Sequence, residues 1–396
     1  MGEQMKNLTQ QGLLILLKSA VTGEALLLPS GFDWTEAMTV VKKHQIGSLV
    51  YEGAINCGVD QSLPQMQHLF QVYCKNLIVS ESQMRAINKL CGAFEAAGID
   101  HMPVKGCNMK PRYPKPELRA MGDADILIKL EQYDRIYPIM MELGFKEVLE
   151  SDHELIWRNS ALELELHKRL IPSYNKDYFR YFGDGWRLAK IQKGCRWLMT
   201  PEDEYIYLFT HFAKHYRDGG IGLRHVLDLW VFERSVPALD EAYLERELNK
   251  LQLLEFHRNI ARLIRVWFCG EPMDEISAFI SEFVFGSGSW GKKENRGIAF
   301  DVRDAEDAGS VGKGKALRGI KILFPPMLSM KQRYPVLKKL PVLLPVFWLA
   351  RWVETLLFRR EQIGVQRNVL QRNSADQIET YQQALNFVGL DFHFKE

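Results

Sequence analysis

The chain has 396 residues, 46% of them hydrophobic and 25% charged, and carries a formal net charge of +2. That length is enough for a large buried core in two or three lobes, and the composition excludes disordered and fibrous classes. The small net charge gives no case for nucleic-acid binding, and six scattered cysteines argue against a disulfide framework or a thiolate zinc site.

The short apolar run from Gly12 to Leu17 lacks the length and cleavage site of a signal core, so it reads as a helix, and a reducing cytoplasm is the expected compartment. Apolar residues recur at helical spacing over 7–97, and Gly98 closes the last of these helices. The period then changes. Residues 101–106 predict a short strand ending at Gly106, and 107–113 a brief helix stopped by Pro114 and Pro116. A strand is expected at 123–129, a helix at 131–142 ended by Gly144, and strands at 145–149 and 155–158. Residues 161–167 alternate strictly, with Glu163, Glu165 and His167 on one face and the leucines on the other. From about 202 the pattern is helical again, and the polar, Gly-rich stretch 286–315 predicts a long mobile loop. The expected organisation is α+β: an N-terminal helical region (1–97), a small mixed-sheet core (98–200) and a C-terminal helical region (201–396).

Asp123 and Asp125 open an apolar strand, so their side chains share a face. Two such carboxylates repel unless a cation lies between them. Hard oxygen donors suit Mg²⁺, which usually arrives with a substrate phosphate. The competing reading is a turn before a solvated strand edge. Val104-Lys105-Gly106 ends a strand where backbone N–H groups and an ammonium can meet phosphate oxygens. Glu165 offers a third carboxylate, with Glu163 on the same face as its rival. Together these groups fit phosphoryl-type transfer, which needs charge neutralisation and positioning rather than covalent chemistry.

Lys105-Gly106, then Tyr113-Pro114-Lys115-Pro116-Glu117-Leu118-Arg119, then Asp123 and Asp125, then Glu165-Leu166-His167 form one ordered set. His211-Phe212-Ala213-Lys214-His215, Gly219-Gly220, Gly222-Leu223-Arg224 and Asp228 follow. The set resembles the uncharacterised nucleotidyltransferase family of bacteria, within the superfamily of DNA polymerase β and the aminoglycoside nucleotidyltransferases. The resemblance implies a nucleotidyltransferase core at 98–200. It also implies transfer of a nucleoside monophosphate from an NTP, with ATP expected, to an unidentified acceptor, with release of pyrophosphate. Asp123, Asp125 and Glu165 would be catalytic and hold Mg²⁺, with Mn²⁺ the second choice. Lys105, Gly106, Arg119, Lys214, His215, Arg224 and Asp228 would bind the nucleotide, Asp228 by pairing with a cation or holding Arg224. A departure from the superfamily is Cys107 after Gly106, with the turn set further from the aspartates. The rival reading is a catalytically silent nucleotide-binding or membrane-peripheral scaffold.

Three further features are weighed. His211 and His215 share a helix face, but Phe212 stands where a zinc protease needs Glu, so a structural pair is favoured. Phe285 to Lys293 superficially resembles a phosphate loop but lacks its Ser or Thr. In 334–360, Pro341 and Pro345 break an apolar run flanked by basic residues, with Trp348 and Trp352. This permits a peripheral membrane contact, though a helix buried on the core is favoured.

Overall fold

The chain begins with helices α1 (Gly2–Thr22), α2 (Trp34–His44), α3 (Gly47–Asn56) and α4 (Pro64–Ala96). The computed structural model describes residues 2–289, 291, 297–299, 302, 319–320, 322–358 and 375–390. Asp33 caps α2 by accepting from the Thr35 and Glu36 amides. Pro64, with its fixed φ, starts α4, which at about 1.5 Å per residue is long enough to cross the whole core. Its last turns bury Ile87, Leu90, Cys91 and Phe94, a stripe at helical spacing. Gly98, at φ +64°, ends the run as its position predicts.

Seven strands form one mixed sheet: β1 (His101–Val104), β2 (Asp123–Ile128), β3 (Lys146–Glu150), β4 (Glu154–Arg158), β5 (Glu163–His167), β6 (Ala189–Lys193) and β7 (Arg196–Met199), in the order β3-β4-β5-β2-β1-β7-β6. β2 runs parallel to β5 and β1 parallel to β7; the other neighbours are antiparallel. Between strands lie the short α5 (Gly106–Met109), then α6 (Tyr133–Glu142) and α7 (Lys176–Phe182). The alternation decides the two faces. Ala124, Ile126 and Ile128, with Leu164 and Leu166, join Phe94, Ile136 and Met140 in a core under α4 and α6. Asp123, Asp125, Glu163, Glu165 and His167 occupy the opposite face.

That face looks toward helices α8 (Pro201–Arg217) and α9 (Leu223–Ser235), followed by α10 (Glu241–Lys250), α11 (Leu254–Phe268) and α12 (Glu275–Ser287). One apolar cluster runs from Leu13 and Leu16 of α1 through Val104 and Leu127 to Phe209, Phe212, Val226 and Phe256. The sheet is therefore packed between helices from both ends of the chain. All six cysteines are free. Among the described residues, no helix is long and apolar enough to cross a membrane.

Three expectations change. The β6–β7 hairpin has no counterpart in the sequence reading, because its strands are short and largely exposed or half-buried, and it is placed by β7 pairing with β1. Most of the loop expected at 286–315, including the Lys292-Lys293 end of the phosphate-loop lookalike, lies outside the described residues. The part that is described is anchored, since Lys43 donates to the Gly286 carbonyl at 2.6 Å and accepts from the Ser289 amide through its own carbonyl at 3.2 Å. Finally, Leu344–Phe358 is a helix, but not one buried on the catalytic core. Val346, Leu349 and Val353 are each more than half exposed.

Candidate active site

The site begins with the parallel pairing of β2 and β5. Its register sets Asp123 beside Glu163, Asp125 beside Glu165 and Leu127 beside His167. Parallel neighbours in register point the same way, so the acidic residues of both strands line one face. Asp125 is buried, and its Oδ1 accepts from Lys105 Nζ at 2.7 Å and from His167 Nε2 at 2.9 Å. Glu165 Oε2 lies 3.3 Å from the same His167 nitrogen. Asp125, Glu165 and His167 form a group whose ligand atoms all lie within 4.8 Å of one another. Glu163 is turned to other use: it pairs with exposed Arg158 across the β4–β5 ladder.

Lys105 reaches this group from the end of β1, at an unusual backbone conformation of φ 48° and ψ −117°. Those angles belong to the first central position of a type II′ turn, where glycine is the usual occupant. The turn swings the chain from β1 into α5 and aims the ammonium at Asp125. At Gly106 a Cβ would come within 3.0 Å of Met121 Sδ and 3.1 Å of Arg119 Nη1, so any larger residue would push these side chains back by a few tenths of an ångström.

The electrostatics follow from burial and crowding. Burial opposes charge on Asp125, but the Lys105 ammonium and His167 outweigh it and hold this carboxyl well below the usual range. Burial also opposes charge on Lys105, and Asp125, Tyr207 and Glu165 outweigh it, so the amine stays well above its ordinary value. For His167, burial and Lys105 push down, while hydrogen bonds to Asp125 and Glu165 prevail and raise it. Asp123 is compensated only in part, by Lys105 and a backbone hydrogen bond. Burial, then Asp125 and Glu165, push it up to about 6. A carboxyl raised by burial and then by its like-charged neighbours marks a place short of positive charge. Together with this hard oxygen donor set, it fits a divalent ion such as Mg²⁺.

A second layer closes the cleft. Arg119 donates from Nε and Nη2 to the two oxygens of Asp228, both at 2.8 Å, and Tyr113 donates to Asp228 Oδ1 at 2.8 Å. Asp228 thus holds Arg119 rather than Arg224. Arg224 donates instead to the Ala120 carbonyl at 2.6 Å, and Lys110, also buried, to the Arg119 carbonyl at 2.9 Å. These bonds lash the 110–120 segment to α9 and leave Arg119 Nη1 beside Gly106.

The cavity at this point is about 90 Å³. Lys105, Gly106, Arg119, Asp123, Asp125, Arg224 and Asp228 line it, all of them singled out in the sequence. Glu165, Lys214 and His215 do not: Glu165 stands behind Asp125 against His167, and His215 Nε2 lies 3.0 Å from His211 Nε2. His211 and His225 line the cavity, together with Leu208 and Phe212. Burial holds both histidines below their ordinary value, His225 to about 4, so each presents a neutral ring. The sequence offered only the four-residue spacing for His211 and no signal for His225. Among the described residues, His211 and His215 gather no third metal ligand.

A mixed sheet carrying an Asp-x-Asp strand beside a second acidic strand, with a glycine turn at the cleft, is consistent with a nucleotidyl-transferring enzyme. The family model for "uncharacterised nucleotidyltransferase" matches residues 30–269, and the chain belongs to that family. The match takes in β1 to β7, α8 and α9. No curated protein and no solved structure matches the chain.

Proposed function

We propose that the protein transfers a nucleoside monophosphate from an NTP, ATP being the first candidate, to a hydroxyl-bearing acceptor. The observation that carries the proposal is the parallel register that sets Asp123 and Asp125 of β2 on one face with Glu165 of β5, next to the Lys105-Gly106 turn. Asp123, Asp125 and Glu165 would hold Mg²⁺, which when bound supplies neutralisation of charge on the phosphates. Lys105, the Gly106 backbone and Arg119 Nη1 hold the triphosphate. The acceptor oxygen attacks the α-phosphorus; a new P–O bond forms and the bond to pyrophosphate breaks. Glu165 takes the acceptor's proton. His167 and Lys105 keep Asp125 ionised and fixed, and Asp228 keeps Arg119 from swinging away.

The cavity bears on where the base goes. At roughly 10–15 Å³ per water, it has room for about six to nine waters, space for phosphates but not for a whole nucleotide. The nucleoside therefore lies outside it, toward solvent. The test is incubation of purified protein with radiolabelled NTPs, Mg²⁺ and host lysate. Transfer of label to a product, lost in Asp123→Asn, is the expected result. Undiminished transfer by that variant rejects the assignment, and NTP binding without turnover across many acceptors favours a silent nucleotide-binding scaffold.

One observation favours an added membrane-peripheral role. Val342, Val346, Leu349 and Val353 are 55–80% exposed along one stretch of helix. Such an unpartnered apolar stripe with nearby tryptophans suits a lipid interface. Flotation with anionic liposomes, abolished by Val346→Glu with Leu349→Glu, tests it; no flotation of the wild type rules it out.

A further inference from the structure

We infer that His153, Glu154 and His167 form a second metal site, for a borderline transition ion such as Zn²⁺, next to the carboxylate site. One ring nitrogen from each histidine and one Glu154 oxygen lie within 4.8 Å of one another. Backbone pairing builds this. The antiparallel β4–β5 register puts Glu154 opposite His167, on one face of the sheet. His153 sits just before β4, where its carbonyl accepts from the Lys168 amide at 2.7 Å.

The second hydrogen bonds of the rings point to a ligand. A metal-binding histidine usually engages a carboxylate, carbonyl or hydroxyl through its other nitrogen, which fixes the tautomer. His167 does this: Nε2 is committed to Asp125 and Glu165. Its Nδ1 has no hydrogen-bond partner, although the residue is only 1% exposed. A buried, unpartnered ring nitrogen is costly, and a metal bond would satisfy it. His153 differs in that both ring nitrogens have partners, and an ion would take the place of its contact with Glu154. Its Nδ1 lies 3.3 Å from Ser151 Oγ, which leaves Nε2 facing Glu154 Oε2 at 2.8 Å. The two imidazoles and one carboxylate are a donor set that zinc and its neighbours accept and Mg²⁺ does not favour. His153 and Glu154 side chains are 17% and 14% exposed, so an ion can enter from solvent and keep a water as fourth ligand. The ion would fix His167, and through it Asp125; His153 and Glu154 are positioning residues.

The test uses full-length, tag-free protein, dialysed against chelator and reloaded with Zn²⁺ or Co²⁺. After gel filtration, wild type and Asp123→Asn should each retain about one equivalent of zinc, and the cobalt form should show the visible absorption of a low-coordinate site. His153→Ala and Glu154→Gln, checked by circular dichroism to be folded, should each weaken zinc binding at least about tenfold. Ser151→Ala should weaken it less. Three results overturn the inference: no ion retained by wild type, equal retention in His153→Ala and Glu154→Gln, or loss in Asp123→Asn with retention in those two variants. No turnover is needed, so the outcome is independent of the nucleotidyl-transfer reading.

Discussion

Replacing Lys105 separates two contributions that the structure superimposes at one residue. Its side chain makes a charge-assisted hydrogen bond to buried Asp125 at 2.7 Å, an interaction of about 1.5–3 kcal/mol. Its backbone occupies φ 48°, ψ −117°, a conformation that costs a non-glycine residue about 1–3 kcal/mol. Lys105→Ala removes the bond and keeps the Cβ that makes the strain. Lys105→Gly removes the bond and releases the strain, against about 0.5–1 kcal/mol of extra chain entropy lost on folding. The glycine variant should therefore be the more stable of the two, by about 0.5–2 kcal/mol, the reverse of the usual order for a residue entering a helix. Urea unfolding of the three proteins, followed by circular dichroism and by hydrogen exchange at 101–110, measures this. Both variants should lose nucleotidyl transfer by about a hundredfold or more, because neither supplies the ammonium. An alanine variant more stable than the glycine variant would refute the strain argument. Full transfer activity in either would refute a role for the charge.

Other outcomes follow from the same geometry. Glu165→Gln should reduce transfer by about a hundredfold or more, whereas Glu163→Gln, whose carboxylate pairs with exposed Arg158, should stay within about threefold; equal losses would count against the distinction. Mg²⁺ should raise the melting temperature at pH 7.5 and do so less as pH falls through 6. Asp123, raised to about 6, then takes a proton in place of the cation. Differential scanning fluorimetry at several pH values reads this, and a Mg²⁺ effect independent of pH would contradict it. His44 is buried and neutral: its Nδ1 accepts from the Leu223 amide at 3.1 Å and its Nε2 donates to the Phe285 carbonyl at 3.1 Å. Burial lowers it to about 4, so between pH 6.5 and 4 the unfolded chain binds the extra proton. Stability should fall by up to about 3 kcal/mol as pH drops through that window, and His44→Gln should flatten the profile. Denaturant midpoints at pH 7 and pH 4.5 that move equally in both proteins would show that His44 is not responsible.

How much could be read in advance depended on the range of each interaction. The face shared by Asp123 and Asp125, and that shared by Glu163, Glu165 and His167, are consequences of the two-residue period of a strand, so local sequence reveals them. Gly98 and Gly144 mark helix ends because only glycine enters the left-handed region cheaply, and both have positive φ. The order of motifs was likewise enough to suggest the family. Tertiary structure alone decided which strands became neighbours. Nothing local says that β2 pairs with β5 in parallel, and it is this register that puts Asp125 against Glu165 across 39 intervening residues. Nothing local says that Asp228 holds Arg119 instead of the nearby Arg224, that His211 and His225 line the cleft while Lys214 and His215 do not, or that His153 comes beside His167. Periodicity fixes the direction of a side chain relative to its own element, whereas long-range pairing and core packing fix what that side chain meets.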